Sequence, residues 1–186
     1  MDRIEVRDSN TRQWSPREYN LRFERMITAI DGNRITIDNP VVMAMEAQYG
    51  GGSIYLYRYD GRISNVGIER LYCESEFTRS DDEDHGWNAV HLNRVENAWV
   101  RHVTARYFGY SCVNLGEYAK QVSVMNCRSY SPVSKITGGR RYSFNNDGQL
   151  NFFADCYASE GRHDFVTGAR VCGPNVFFNC RAVNTH

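Results

Sequence analysis

No run of eighteen apolar residues occurs in this 186-residue chain, and the first twelve residues, Met1 to Arg12, are dense in charge. Neither a membrane-spanning segment nor a signal peptide is therefore expected. An excess of one charge is missing as well. The 22 basic side chains stand against 22 acidic ones, which leaves no net field for a polyanion, and nucleic acid is not an expected partner. The six cysteines contain no C-x-x-C pair, and a chain of this size does not imply a disulfide framework. Cys172 and Cys180 are spaced to approach one another across a rung. Segments of helical period are also lacking. What is present is 41% hydrophobic and 13% aromatic content, enough to build the core of one domain.

The chain repeats itself. "LNFFADC" from Leu150 and "NVFFNC" from Asn175 share a frame with "VGIERLYC" from Val66, "AWVRHVTA" from Ala98 and "VSVMNCRS" from Val122. Superposing the five copies gives the anchors Ile68, Val100, Val124, Phe153 and Phe177, at intervals of 32, 24, 29 and 24 residues. Three residues after each anchor stand Leu71, Val103, Cys127, Cys156 and Cys180. Self-similarity at this period marks a solenoid, in which each unit buries its apolar face only by stacking on its neighbours. Apolar residues two apart, such as Val122 and Val124, indicate strands. The step of three that follows requires a bend at Arg70, His102, Asn126, Asp155 and Asn179, mostly short polar types that tolerate left-handed backbone. Further strands precede the anchors at "AVHL", "CVNL", "YSFN" and "DFVT". The pattern describes an all-β fold, a right-handed parallel β-helix of about five rungs with two or three strands each. In that register Cys127, Cys156 and Cys180 are interior ladder members, since free cysteine behaves as a small buried hydrophobe.

Two parts divide the chain. Residues 1–49 lack the repeat, and "RMITAIDGNRITID" reads as a β-hairpin turning at Asp31-Gly32. Residues 50–186 carry the rungs, beginning at "GGGSIYLYRYDGRISNVGIERL". No polar cap follows "NCRAVNTH", and an unpaired edge calls for cover. The chain thus reads as truncated or as capped by a partner, and a homo-oligomer is expected.

The hairpin "ITAIDGNRITIDNPV", followed by "GRISNVGIERL" and the stacked "NVFFNC"-like rungs, resembles the pectate-lyase-like superfamily of right-handed β-helices. The resemblance covers most of the chain from about Arg25. It implies a carbohydrate-active protein, an extracellular or periplasmic location and, among oligomers, a trimer. It does not choose the reaction, because that fold carries hydrolases, lyases, esterases, epimerases and inert modules. The motifs of polygalacturonase-like hydrolases have only partial echoes here, in Asp81-Asp82 and in "GRHD", and the Arg-x-Pro-x-x-Arg pattern of pectate lyases is missing.

The site must therefore be argued from the residues. Insertions in a solenoid collect on one edge, and four segments share a corner: "ESEFTRSDDEDHGWN", "RYFGYS", "YSPVSKITGGRRY" and "YASEGRHDF". Rungs lie about 4.8 Å apart, so the four form one patch. Glycoside hydrolysis needs two carboxyl groups flanking the bond. Asp82 or Asp84 supplies one, and Glu160 or Asp164 the other, with His163 beside them. Trp87, Tyr107, Tyr110, Lys135, Arg140, Arg141 and Arg162 would bind the polysaccharide. For β-elimination, Lys135, Arg140, Arg141 or His163 would supply base and charge neutralisation. The third reading is a non-catalytic module that binds glycan or drives oligomerisation. No cofactor or metal is expected. Ca²⁺ at "DDED" is disfavoured because the alternating D-x-[DN]-x-[DN]-G frame is missing. His91, Asn114 and Ser143 are placed on one outward row.

Overall fold

The computed structural model describes residues 20–186, so the charged tract Met1 to Arg12 lies outside the described residues. An antiparallel hairpin comes first, β1 (Ile27–Asp31) with β2 (Arg34–Ile37). Asp31 pairs with Arg34, so the two turn residues are Gly32 and Asn33, one position later than expected, and Gly32 takes φ +56°. A single 3-10 turn at Ala47–Tyr49 is the only helical element among the described residues, which contain no helix long and apolar enough to cross a membrane.

Three parallel sheets follow, and the chain visits them in turn. Sheet I contains β3 (Ile63–Ser64), β4 (Gly67–Glu69), β7 (Val95–Arg101), β10 (Lys120–Met125), β13 (Phe152–Ala154) and β16 (Val176–Phe178). Sheet II contains β5 (Tyr72–Glu74), β8 (Thr104–Arg106), β11 (Arg128–Tyr130), β14 (Tyr157–Ser159) and β17 (Arg181–Val183). Sheet III contains β6 (Asn88–Leu92), β9 (Ser111–Leu115), β12 (Phe144–Asn146) and β15 (Phe165–Thr167). Strand order within each sheet follows the chain, one strand per rung except that β3 and β4 both pair with β7, an arrangement compatible with a β-helix. The parallel strands begin at Ile63, so residues 50–62, expected within the first rung, contain no strand.

The anchors are in register. Ile68 pairs with Val100, Val100 with Val124, Val124 with Phe153, and Phe153 with Phe177. Val100, Val124 and Phe153 are fully buried, whereas Ile68 and Phe177 are half-buried because each stands in a terminal rung with a neighbour on one side only. Leu71, in the first rung, is exposed for the same reason. Sheet III supplies Val90, Val113, Phe144 and Phe165 to the same interior. In the later rungs four rings meet: Phe144 stacks on Phe165 at 5.1 Å, Phe153 on Phe177 at 4.7 Å, and the two pairs touch edge to face.

Between sheets I and II the chain turns in two residues. Arg70, His102, Asn126, Asp155 and Asn179 occupy the first position with φ of 49–55°. An L-residue pays about 1–2 kcal/mol for this backbone, and the stacking offsets it. The amide N–H groups of Arg70, His102, Asn126 and Asp155 each donate to a carbonyl of the next rung, at Arg101, Met125, Ala154 and Phe178, over 3.0–3.1 Å. The second position turns inward and holds Val103, Cys127 and Cys156, all buried, with Cys180 half-buried. All six cysteines are free, Cys172 and Cys180 included.

A strap before the hairpin is tied across the corner between sheets III and I. The Glu24 carboxylate pairs with Arg62 and with Lys120 at 3.1 Å, and the Glu24 amide donates to Gln149 at 2.8 Å. Burial pushes the Glu24 carboxyl up, but hydrogen bonds from Arg62, Tyr57 and Lys120 more than reverse this and hold its pKa at about 2. A carboxyl depressed in the folded state stabilises fully above its unfolded pKa and loses that contribution as pH falls through the folded one.

Two outcomes are expected. Phe153→Ala removes a ring from the centre of the aromatic cluster and costs about 3–5 kcal/mol in urea unfolding. Across the window from pH 4.5 down to about 2, the Tm of the wild type falls more steeply than that of Glu24→Gln, and parallel curves would remove the strap's ionic contribution.

Candidate functional site

Turns between sheets II and III are long and unequal, spanning residues 75–87, 107–110, 131–143 and 160–164. Tyr107, Ser131 and Glu160 leave successive strands of sheet II at φ 67°, 49° and 62°. This common exit places the four loops on one edge, as the repeat predicts. Two of the loops are laced together. Glu83 pairs with Arg140 and lies 3.6 Å from Lys135, and Arg140 holds the Glu83 carboxyl below the usual carboxylate range. His85 reaches the Val133 carbonyl through Nε2 at 2.8 Å. A carbonyl only accepts, so Nε2 carries the proton, and in the neutral ring Nδ1 accepts from the Ser75 hydroxyl at 2.8 Å. Ser75 in turn accepts from the Gly86 amide at 2.9 Å.

Three of the expected charges face inward, not into a groove. Asp82 is 4% exposed and accepts from the Thr78 amide and hydroxyl and from the Asp84 amide, at 2.8–3.0 Å. Those bonds, the Thr78 amide foremost, hold its carboxyl far below the ordinary aspartate range. Asp164 is 3% exposed and accepts from Ser143 and Thr185, each at 2.6 Å. Arg141 is buried and donates twice to the Ser134 carbonyl, at 2.6 and 3.0 Å. The reason is common to all three: a folded loop leaves backbone groups and hydroxyls that need partners, and an adjacent charge meets the need. Asp84 and His163 are exposed and Glu160 and Arg162 half-buried, and Arg162 Nη1 approaches His163 Nε2 at 3.4 Å. Tyr107 packs edge-on against Phe77, with ring centroids 5.2 Å apart.

At the start of the sheet III strands the rings form a ladder, one per rung. Trp87 and Tyr110 lie 6.0 Å apart at 11°, Tyr110 and Tyr142 5.4 Å apart at 40°, and Tyr142 and His163 5.1 Å apart at 20°. Gly109 makes room for the first of them, since a Cβ there would stand 2.5 Å from the Trp87 ring. Trp87, Tyr110 and Tyr142 are half-buried, and His163 is exposed. Tyr142 belongs to a segment assigned to this corner but was not among the expected binding residues; its signal was the aromatic closing "GGRRY" just before a strand.

Beside the ladder runs the outward row of sheet III, where His91 pairs with Asn114 and Asn114 with Asn145. The expected third member, Ser143, is instead fully buried, because Phe144 is the residue that pairs with Val113 and carries the row to Asn145. Asn145 donates to Asn114 at 2.9 Å and to the Asp147 carboxylate at 2.8 Å. Burial, then the charge of Asp147, then Tyr142 push the Tyr110 hydroxyl up to about 12. Asp147, tied to this row through Asn145, is a carboxylate that sequence reasoning did not select. Among the described residues no cluster of three or more His, Cys, Asp or Glu side chains is arranged to hold a metal ion.

No protein family, curated protein or solved structure matches this chain. The arrangement itself therefore carries the functional argument. It offers a stack of flat rings several rungs long, flanked by amides, a carboxylate and laced charges.

The inward turn of Asp82 has a measurable consequence. In Asp82→Ala the amides of Thr78 and Asp84 lose their acceptor and exchange with deuterium faster than in the wild type, while Asp84→Asn leaves both rates unchanged. Equal rates in all three proteins would show that Asp82 does not hold the loop.

Proposed function

We propose that the chain is a right-handed parallel β-helix of the pectate-lyase-like kind, and that the edge and outer face of sheet III bind a polysaccharide. The right-handed form follows the strong general preference of parallel β crossovers. The observation that carries the binding reading is the ladder Trp87, Tyr110, Tyr142 and His163, with ring spacings of 5.1–6.0 Å. Half-buried rings of this kind offer apolar faces on which sugar C–H groups pack, with polar atoms at the rim. Asn114 and Asp147, both held by the buried amide of Asn145, stand where hydroxyl groups of the same sugars need partners.

A second reading adds glycosidic cleavage. It is favoured by Asp147, whose carboxylate is oriented by Asn145 beside the rings. Asp84 and Glu160 supply the remaining carboxylates of the original pairing, since Asp82 and Asp164 are consumed in holding loops. Elimination is less supported, because Arg140 and Lys135 both pair with Glu83. Outside a cell or in a periplasm such a protein would meet its polymer directly, and trimers formed about the long axis would align several ladders.

Retardation on gels containing a panel of polysaccharides tests the binding, with reducing ends and unsaturated products measured in parallel. The wild type is retained by at least one polymer, and Trp87→Ala or Tyr110→Ala weakens retention at least about fivefold. Asp147→Asn keeps retention and loses turnover by orders of magnitude if cleavage accompanies binding. Failure of every polymer to retain the wild type overturns the proposal.

A further inference from the structure

Sheet II has an outer surface that the ladder does not use. Along it run two rows with one residue per rung: Tyr72, Thr104, Arg128, Tyr157 and Arg181, and next to them Glu74, Arg106, Tyr130, Ser159 and Val183. The residues between the rows point inward, with Ala105, Ser129 and Ala158 all buried, so strand alternation turns the flanking rows to the outside. Three guanidinium groups share these rows with one carboxylate. Arg106, Arg128 and Arg181 form no salt bridge with a described residue, and the Glu74 carboxylate accepts from the Tyr72 hydroxyl. Aromatic rings are interleaved with the cations. Arg106 lies 4.8 Å from the Tyr107 ring centroid, Arg128 Nη1 is 3.4 Å from the Tyr130 hydroxyl, and the Tyr130 and Tyr157 rings are 5.5 Å apart. Tyr72, Thr104, Arg106, Tyr130 and Ser131 line an open depression of about 340 Å³.

We propose that this surface is a second glycan-binding face, selective for sugar rings that bear an anionic substituent, a carboxylate or a sulfate ester. A guanidinium outside any salt bridge presents a planar fork that matches either group through two parallel hydrogen bonds. The tyrosine rings give flat apolar contact, and the hydroxyls of Thr104, Ser131 and Tyr130 face sugar hydroxyls as donors and acceptors. Rungs about 4.8 Å apart bring a fork or a ring into play at nearly every step along the axis. A nucleic acid would also meet arginine and tyrosine, but it needs a sustained positive field across many phosphates, and this chain has none, with a net charge of zero. An acidic sugar needs a single fork.

Calorimetric titration of the whole chain tests the face with four probes: a glucuronate-containing tetrasaccharide, its methyl ester, a sulfated tetrasaccharide without carboxylates, and a short single-stranded DNA. At least one acidic sugar binds about tenfold or more tightly than the neutral ester, as a charge-assisted hydrogen bond requires, and the preference between carboxylate and sulfate identifies the group. Arg106→Gln and Arg128→Gln each lose about tenfold with an unchanged melting curve, while Trp87→Ala keeps the acidic binding. Equal affinity for the ester, tighter binding of DNA, or no binding at all overturns the proposal. So does loss in Trp87→Ala with none in the arginine variants, an outcome that leaves the sheet III reading standing. If neither arginine variant folds, the comparison of acid with ester in the wild type decides.

Discussion

Left-handed backbone at fixed points in every rung is the constraint from which the rest follows. Among the described residues sixteen other than glycine have positive φ, and those at the corner between sheets I and II recur with the same two-residue length each time. A bend that short fixes the rung-to-rung offset of both strands it joins. Once the offset is fixed, Val100 must meet Val124 and Val124 must meet Phe153, and the thiol behind each bend lands in the interior. Each Sγ then faces a carbonyl one rung back, Cys127 that of Val100 at 3.6 Å and Cys156 that of Val124 at 3.7 Å. Because this corner admits no extra residues, length variation is displaced to the other two, and one of these carries the candidate site.

That corner divides its polar groups by task. The charges of Asp82, Asp164 and Arg141 turn inward and satisfy the loops. Glu83 pairs across rungs with Arg140 and Lys135. Rings remain at the surface, because a half-buried aromatic packs on the ring of the next rung without closing off its outer edge. The exposed surface of this edge is therefore aromatic, and Asn114 and Asp147 are joined beside it through Asn145.

The scaffold was legible in the sequence because its signals are local and repeated. Anchors, bends and the strands of sheet III all recur in one frame, and a solenoid translates a frame into a stack. The short strands after the bends were harder to see, since small residues such as Ala105, Ser129 and Ala158 form their inward row. Side-chain direction inside the long loops was not legible at all. Nothing in "DDED" distinguishes Asp82, which folds back on Thr78, from Asp84, which does not, because the difference lies in backbone groups two to four residues away. The same holds at "RRYSFNND", where placing Asn145 rather than Ser143 in register with Asn114 depends on knowing that Phe144 pairs with Val113. The Glu24 strap was invisible for another reason: its partners Arg62, Lys120 and Gln149 are distant in sequence and follow no period.

The four-phenylalanine cluster makes the axis of the molecule energetically uneven. Earlier rungs are joined through valines, the later ones through Phe144, Phe153, Phe165 and Phe177, and in a stack where each rung contacts only its neighbours the couplings act nearly independently. Nucleation is therefore favoured where the rings interlock, between β12 and β16, and the chain zips from there toward β3. The rung of Ile68 and the exposed Leu71, with the weakest coupling, closes last and frays first.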